Sequence, residues 1–393
     1  MTIILSDLRR DHVGAELETS IALRIGDDCQ RLSIFHGGDF GALADIAPEF
    51  DPFLTLLLIP AMSQKTPIVV EGSIDARRLD GLRRGVQTLL SRASTDWRIV
   101  PITAEARIEN RHPELSKGAA LGMSCGIDSL YAFEDLTREG VAQHQRVKLL
   151  THNDVGGHPN RATFEQHRDH ASRFATEMGL PFVTVSIDLA PYYGRRFIHA
   201  HTIRNAGAAM SIEPLFHAFV YSKGDSGARQ AQIGRSAGIG PMDPSLLPLL
   251  NTSAHSYISH GMHIERLGKT NQVMHGPLAP RYLTVCTQGF EDARIKMNCG
   301  QCQKCARALF FADANGLLDN FSETFDLEAF KASRTHGLRR MLRHTAFDRK
   351  SRDDEDALAY LIEQDYPMPA WFRLFRNKAG KSSLHAEGIK LHN

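Results

Sequence analysis

Neither sign of charge is in excess: 46 lysines and arginines face 45 aspartates and glutamates, for a formal net charge of +1. That balance removes any general attraction to nucleic acid or to an anionic membrane, and nucleic acid is not expected as a partner. Long apolar runs are missing too. The most apolar window, Phe53 to Met62, is interrupted by Pro60 and falls far short of a bilayer span. The opening MTIILSDLRR holds three consecutive apolar residues before Ser6 and Asp7, too few for an export signal. Cysteine is scarce, six in 393 residues, yet four of the six crowd into twenty positions. Few, clustered cysteines in a chain read as cytoplasmic suit metal ligation rather than disulfides. Two ATP-binding patterns are also missing: the Gly-Lys-Ser/Thr ending of a Walker loop and the dinucleotide G-x-G-x-x-G.

The chain is long enough for one large domain or two to three ordinary ones. Residues 1–112 read as an α+β unit. Strands are expected at Ala15 to Arg24, Arg31 to Phe35, Pro67 to Glu71 and Trp97 to Ile108, with a helix over Ile74 to Leu90. Asn110, His112 and Pro113 mark a boundary. From Lys117 strands and helices alternate. Strands are expected at Ala119 to Met123, Val147 to Thr151 and Phe182 to Ile187. Between them lie helices from Asp128 to Arg138 and from Asn160, a capping residue, to the stop at Gly179. This alternation predicts an α/β fold with a doubly wound parallel sheet over 113–320. A helical region follows over 321–393, with helices at Leu327 to Ala332 and Asp354 to Leu361 and a loose polar tail from Asn377.

One segment joins a strand directly to a helix through small residues: Leu121-Gly-Met-Ser-Cys-Gly-Ile-Asp-Ser-Leu130. Ser124, Cys125, Gly126 and Ile127 let backbone N–H groups approach an anion, and the helix start adds partial positive charge. Ser124 and Ser129 can donate to phosphate oxygens. Asp128 cannot donate when ionised, so it is expected to act through Mg²⁺ or water. The alternative is a tight turn that only caps a helix. A second cluster, Cys286-x12-Cys299-x2-Cys302-x2-Cys305, supplies the four thiolates of a closed tetrahedral Zn²⁺ site, with Gly300 free to make the turn. An iron–sulfur cluster is the alternative occupant.

Met123-Ser-Cys-Gly-Ile-Asp-Ser129 resembles the S-G-G-x-D-S signature of the PP-loop ATP pyrophosphatases, with Cys125 in place of the first glycine. A left-handed backbone there would strain a cysteine. Together with C-x(n)-C-G-x-C-x-x-C-x-x-R, the chain resembles the 7-cyano-7-deazaguanine synthase branch over Lys117 to Gly316. That resemblance implies adenylation of a carboxylate by ATP, its conversion to amide and nitrile with ammonia, and zinc held by Cys286, Cys299, Cys302 and Cys305, with Arg307 as the trailing arginine. The acidic–aromatic segment that recognises the deazaguanine has no counterpart; Ile239 to Pro248 stands in its place. Substrate identity is therefore not carried over.

Other residues enter more loosely. Lys269 falls where the family has a phosphate-approaching lysine, with Arg266 as a weaker candidate and a surface position as the alternative. Asp154 follows the second strand of the alternating region, where doubly wound sheets bind ligands, so it is expected near the nucleotide or Mg²⁺. His167 with His170, and His199 with His201, are read as solvated or core histidines, and Arg195 to Arg204 as a solvated helix face. The expected function is an ATP-dependent adenylating ligase, with Asp128, Ser129 and Lys269 catalytic. Its partners are a small-molecule substrate and ammonia or a sulfur donor, with a homodimer admitted. A sulfur transferase using Cys125 as carrier, or a non-catalytic nucleotide- and zinc-binding module, are the alternatives.

Overall fold

A computed structural model describes residues 1–108, 114–158, 160–193, 199–224, 239–286, 288, 296–345 and 352–374. The chain forms two compact units: Met1–Ser124 with Tyr131–Glu265, and Cys125–Leu130 with the chain from Arg266 onward.

The first unit is built on one ten-stranded sheet in the order β10-β9-β6-β7-β8-β3-β2-β1-β4-β5. Five strands form its parallel half: β6 (Ala119–Gly122), β7 (Val147–Asp154), β8 (Phe182–Ser186), β9 (Ala218–Ser222) and β10 (Ser256–His260). The chain moves outward from β6 through β7 to β8, then returns to the other side of β6 for β9 and β10. This is the expected doubly wound α/β arrangement, and its order reverses at β6. The Arg161–Glu177 helix starts as anticipated, with Asn160 accepting from the Thr163 N–H at 2.8 Å.

The remaining strands are β1 (Ile3–Val13), β2 (Glu16–Ile25), β3 (Asp28–Gly38), β4 (Ile68–Asp75) and β5 (Ile102–Arg107). They extend the same sheet. The join is an antiparallel pairing of β3 with β8, Phe35 to Ser186 through Gly38 to Val183. Two glycines permit it: a Cβ on Gly38 would stand 2.3 Å from the Phe182 carbonyl oxygen, and one on Gly37 2.6 Å from Thr184 Oγ1. Asp39 closes the junction, its N–H donating to Phe182 O at 2.9 Å and its carboxylate accepting from Phe182 N–H at 2.8 Å.

Some sequence expectations differ from this outcome. The division at 112 and 320 does not coincide with the compact units, because strands from both sides of residue 112 share one sheet; Asn110 to Pro113 themselves lie outside the described residues. The three apolar residues near the start belong to a long strand, β1. The apolar window Phe53 to Met62 is the body of a helix, Asp51–Gln64, buried from Asp51 to Met62 and therefore without a polar face to reveal its period. The helix expected over Ile74 to Leu90 runs as Ala76–Asp80, a π-helical segment Gly81–Val86 and Gln87–Ala93. Gly81 is required there, since a Cβ would lie 1.9 Å from Leu249 O.

A buried ion network ties these elements together. Arg78, fully buried, binds Asp51 at 2.9 Å, donates from Nε to Leu250 O at 2.9 Å and pairs with Glu213, which also accepts from Tyr257. Two buried histidines are held neutral. His36 donates from Nδ1 to Leu17 O at 3.0 Å, and burial lowers it to about 4. His152 donates from Nδ1 to Met123 O at 2.8 Å, and burial with the neighbouring His158 lowers it to about 4. The unfolded chain takes up these protons near pH 6.5, the folded chain not until about pH 4. Their contribution to stability is therefore complete above pH 6.5 and is lost as pH falls toward 4, at up to about 1.4 kcal/mol per pH unit for each. Urea midpoints at pH 7.5, 6.0 and 5.0 should fall steeply, and because burial also lowers His255 to about 4, His36→Gln should remove about a third of the slope. A midpoint independent of pH over that range would contradict the burial of both rings.

Candidate functional site

The site begins where β6 ends. Met123 continues the ladder, its N–H donating to Thr151 O at 2.7 Å, and its carbonyl is held by His152. Asp154 stands at the end of the neighbouring β7, partly exposed, 3.7 Å from His158 Nδ1. Ser124 is exposed.

The chain then turns through Cys125, which has a φ of 55° and is completely buried. This is the left-handed conformation that suits glycine and strains a residue with a Cβ. The Cys125 carbonyl accepts from Thr284 N–H at 2.8 Å, and Gly126 O accepts from Leu130 N–H at 2.9 Å as the Ile127–Thr137 helix begins. Ser129 is buried, and its hydroxyl donates to Gly126 O at 3.1 Å.

Asp128 is the electrostatic centre of the second unit. Arg266 donates to its Oδ2 at 2.6 Å, and the ammonium of Lys269, completely buried, lies 3.9 Å from Oδ1. Oδ1 is itself buried and makes no hydrogen bond among the described residues. Both bases come from the Arg266–His275 helix, one turn apart on one face. The loop and the lysine-bearing stretch, linked in sequence only by resemblance, therefore meet in space, and Arg266, the weaker candidate, makes the shorter contact.

Cys286, Cys299, Cys302 and Cys305 also converge, with all four sulfurs within 4.8 Å of one another. Cys286 Sγ lies 3.8 Å from Cys302 Sγ, and Cys299 Sγ 3.9 Å from Cys305 Sγ. Four ligands at the usual Zn–S length of about 2.3 Å define a tetrahedron with an edge of about 3.8 Å. The set can hold a metal ion such as zinc. Hydrogen bonding among the thiols lowers Cys286, through Cys299 first, and raises Cys305, through Cys286 first. The Cys302 and Cys305 N–H groups point at the sulfurs of Cys299 and Cys302, at 3.3 and 3.5 Å. Gly300, at φ 73°, makes the turn anticipated for it; a Cβ would stand 2.0 Å from Asp326 O.

Sequence reasoning missed the residue that aligns this cluster. Asn298 is completely buried, and its side chain makes four hydrogen bonds. Its Nδ2 donates to Leu283 O at 2.7 Å and Thr324 O at 3.1 Å; its Oδ1 accepts from the N–H groups of Val285 at 2.8 Å and Cys286 at 3.1 Å. An asparagine next to a cysteine carries no signal of such a role. Asp354 was missed as well. Completely buried, it accepts from Gln303 at 2.6 Å and His344 at 2.6 Å and pairs with Arg307 at 3.2 Å, so the C-terminal Arg352–Glu363 helix holds the trailing arginine.

Among the described residues the cysteines form the only group of three or more whose ligand atoms all lie within 4.8 Å of one another. His201 lies 2.7 Å from Tyr221 Oη and His170 3.2 Å from Arg173. Arg195 to Ile198 of the basic run lie outside the described residues. In the Ile239 to Pro248 segment, Asp243 is buried and accepts from Thr202 at 2.6 Å, a packing role. No helix is long and apolar enough to cross a membrane among the described residues. Compared with known proteins, the chain matches no family model, no curated protein and no solved structure.

The left-handed backbone at Cys125 gives a direct test. Cys125→Ala and Cys125→Gly lose the same sulfur and differ only in the Cβ. The glycine variant should be the more stable, by about 1 kcal/mol, in denaturant titrations of the two. An alanine variant equal or superior in stability would mean that residue 125 is not left-handed.

Proposed function

We propose that the chain is an ATP-dependent adenylating enzyme of the PP-loop type. One observation carries the reading above the rest: a strand-to-helix loop at the reversal point of a doubly wound sheet turns through a left-handed residue and leads into Asp128, itself beside Arg266 and Lys269. Ligands bind such sheets at the carboxyl end of the strands where the order reverses. The glycine of the resembled signature suits the conformation that Cys125 adopts.

In this reading the phosphates of ATP lie over Ser124 to Ser129. A carboxylate or carbonyl oxygen of a small substrate attacks the α-phosphorus, the bond to the bridging oxygen breaks, and pyrophosphate leaves with the electron pair. Ammonia then adds to the activated carbon, AMP departs, and the surplus proton passes to solvent. Lys269, Arg266 and the loop N–H groups stabilise the charge that builds on the leaving oxygens. Mg²⁺ would supply further charge neutralisation to the phosphates. Asp128 fits it as a single-carboxylate ligand through its spare Oδ1, while the surrounding bases favour its arrival with phosphate rather than alone.

The four cysteines would hold a structural Zn²⁺, since four protein thiolates leave no open coordination position. Sulfurs this close enclose a single ion; an iron–sulfur cluster, with its own sulfides, spreads its ligands wider. Sulfur transfer through Cys125 gains no support, because that thiol is completely buried.

Phosphorus NMR on ATP, Mg²⁺, ammonium and a panel of carboxylate acceptors tests the proposal. AMP and pyrophosphate should form in equal amounts, and Asp128→Asn should slow the reaction by about a hundredfold or more, the usual effect of losing a charge-organising group. ADP with inorganic phosphate would place the chain in another class of ATP user. ATP left intact with every acceptor would favour a non-catalytic nucleotide- and zinc-binding module.

A further inference from the structure

A cluster of imidazoles lies in the first unit at the carboxyl end of β7, and the adenylation reading does not use it. His152 comes from β7, Asp154 ends that strand, His158 follows four residues on, and His167 projects from the Arg161–Glu177 helix packed against β7. His152 is buried, and its Nδ1–H is committed to Met123 O at 2.8 Å, which leaves Nε2 with a lone pair to give. That Nε2 is buried and makes no hydrogen bond among the described residues, and the same is true of His158 Nδ1. His167 Nε2 is buried as well. Buried polar atoms left in this state are rare and point to a bound ion or water.

The spacing is that of metal ligands. The ring centre of His158 lies 5.3 Å from that of His152 and 5.5 Å from that of His167. An imidazole bound at about 2.1 Å has its centre about 3.2 Å from the ion, so two such rings in a tetrahedron stand about 5.2 Å apart. Asp154 Oδ1 is 3.7 Å from His158 Nδ1, too long for a hydrogen bond and close to the separation of about 3.4 Å between two ligand atoms on one zinc ion. The four donors are less tightly gathered than the cysteine sulfurs. His158 can supply the adjustment, because it follows Gly156 and Gly157, and Gly156 is left-handed at φ 85°. The bond to Met123 O orients His152 as metal-bound imidazoles are oriented, with the second ring nitrogen donating to a carbonyl. The side chains of Asp154 and His158 are partly exposed, which gives an ion a path of entry. Three imidazoles and one carboxylate suit Zn²⁺ and its neighbours better than a hard ion such as Mg²⁺.

We propose that His152, Asp154, His158 and His167 bind a divalent transition ion of the zinc type, at a site separate from the four cysteines. Through His152 the ion holds the carbonyl of Met123, the residue that precedes the Ser124–Ser129 loop. The site does not depend on whether the chain adenylates a substrate.

Zinc content of the full chain after equilibrium dialysis tests this. His158→Gln and His167→Gln should each hold one zinc fewer than the starting protein, with affinity for that ion weakened at least about a hundredfold. Cys302→Ser should leave this ion in place, and His170→Gln, one turn further along the same helix, should change nothing. Zinc lost entirely in Cys302→Ser, or content unchanged in either of the first two variants, would overturn the four-residue site. Should a variant fail to fold, ring-nitrogen NMR of the unmodified, histidine-labelled protein decides. Added zinc should shift His152, His158 and His167 together and leave the buried His36 in place. A shift missing at any of the three would overturn the proposal.

Discussion

The turn at Cys125 is the constraint on which the site depends. Four residues separate the end of β6 at Gly122 from the first helical residue, Ile127, and the chain must reverse its hydrogen-bonding pattern within them. A left-handed residue achieves this in one step. Its cost of about 1–2 kcal/mol for a residue with a Cβ is offset locally by the Thr284 N–H on its carbonyl and by complete burial of the side chain. The turn sets the course of the next four residues. Gly126 presents its carbonyl to Leu130 and Ser129, and Asp128 reaches Arg266 and Lys269. A right-handed residue at 125 would send the helix elsewhere and leave two buried or half-buried bases without their carboxylate.

The same economy appears in the rest of the second unit, where polar residues with no freedom organise the ones that have chemistry. Asn298 aligns Cys286 by accepting from its N–H while anchoring to the carbonyls of Leu283 and Thr324. Asp354 fixes Arg307 and Gln303 at the start of the helix that carries Cys305. Each is buried with its hydrogen-bonding capacity used, the condition under which a polar core group specifies one arrangement rather than several. The first unit obeys the same rule through Arg78, whose partners come from residues as far apart in sequence as Asp51 and Tyr257.

Legibility in the sequence depends on how local each feature is. Asn160 capping a helix, the strand–helix alternation after Lys117 and the spacing of Cys299, Cys302 and Cys305 are determined within a turn or two of chain, and they read correctly. The doubly wound fold is a consequence of that alternation. The union of the N-terminal strands with the same sheet was not legible, because it depends on Phe35 finding Ser186 and on two glycines whose only task is to let backbones approach. The Asp51–Gln64 helix hid for the opposite reason: with nearly every side chain buried it has no periodicity to detect. In the site, the types and spacing of the cysteines pointed to the cluster they form. Asn298 and Asp354 did not, since their roles arise only from neighbours ten or more residues away.

In the function proposed, the segment from Ser124 to Ser129 holds the phosphates of ATP, and every other assignment in the site depends on it. A crystal structure with an α,β-bridged ATP analogue and Mg²⁺ tests this most directly, because the analogue cannot be cleaved at the bond in question. The account predicts phosphate oxygens within hydrogen-bonding distance, about 3 Å, of backbone N–H groups in this loop, with Lys269 or Arg266 on the same chain of phosphates. An analogue bound elsewhere on the protein, with the loop and Asp128 untouched, would contradict it.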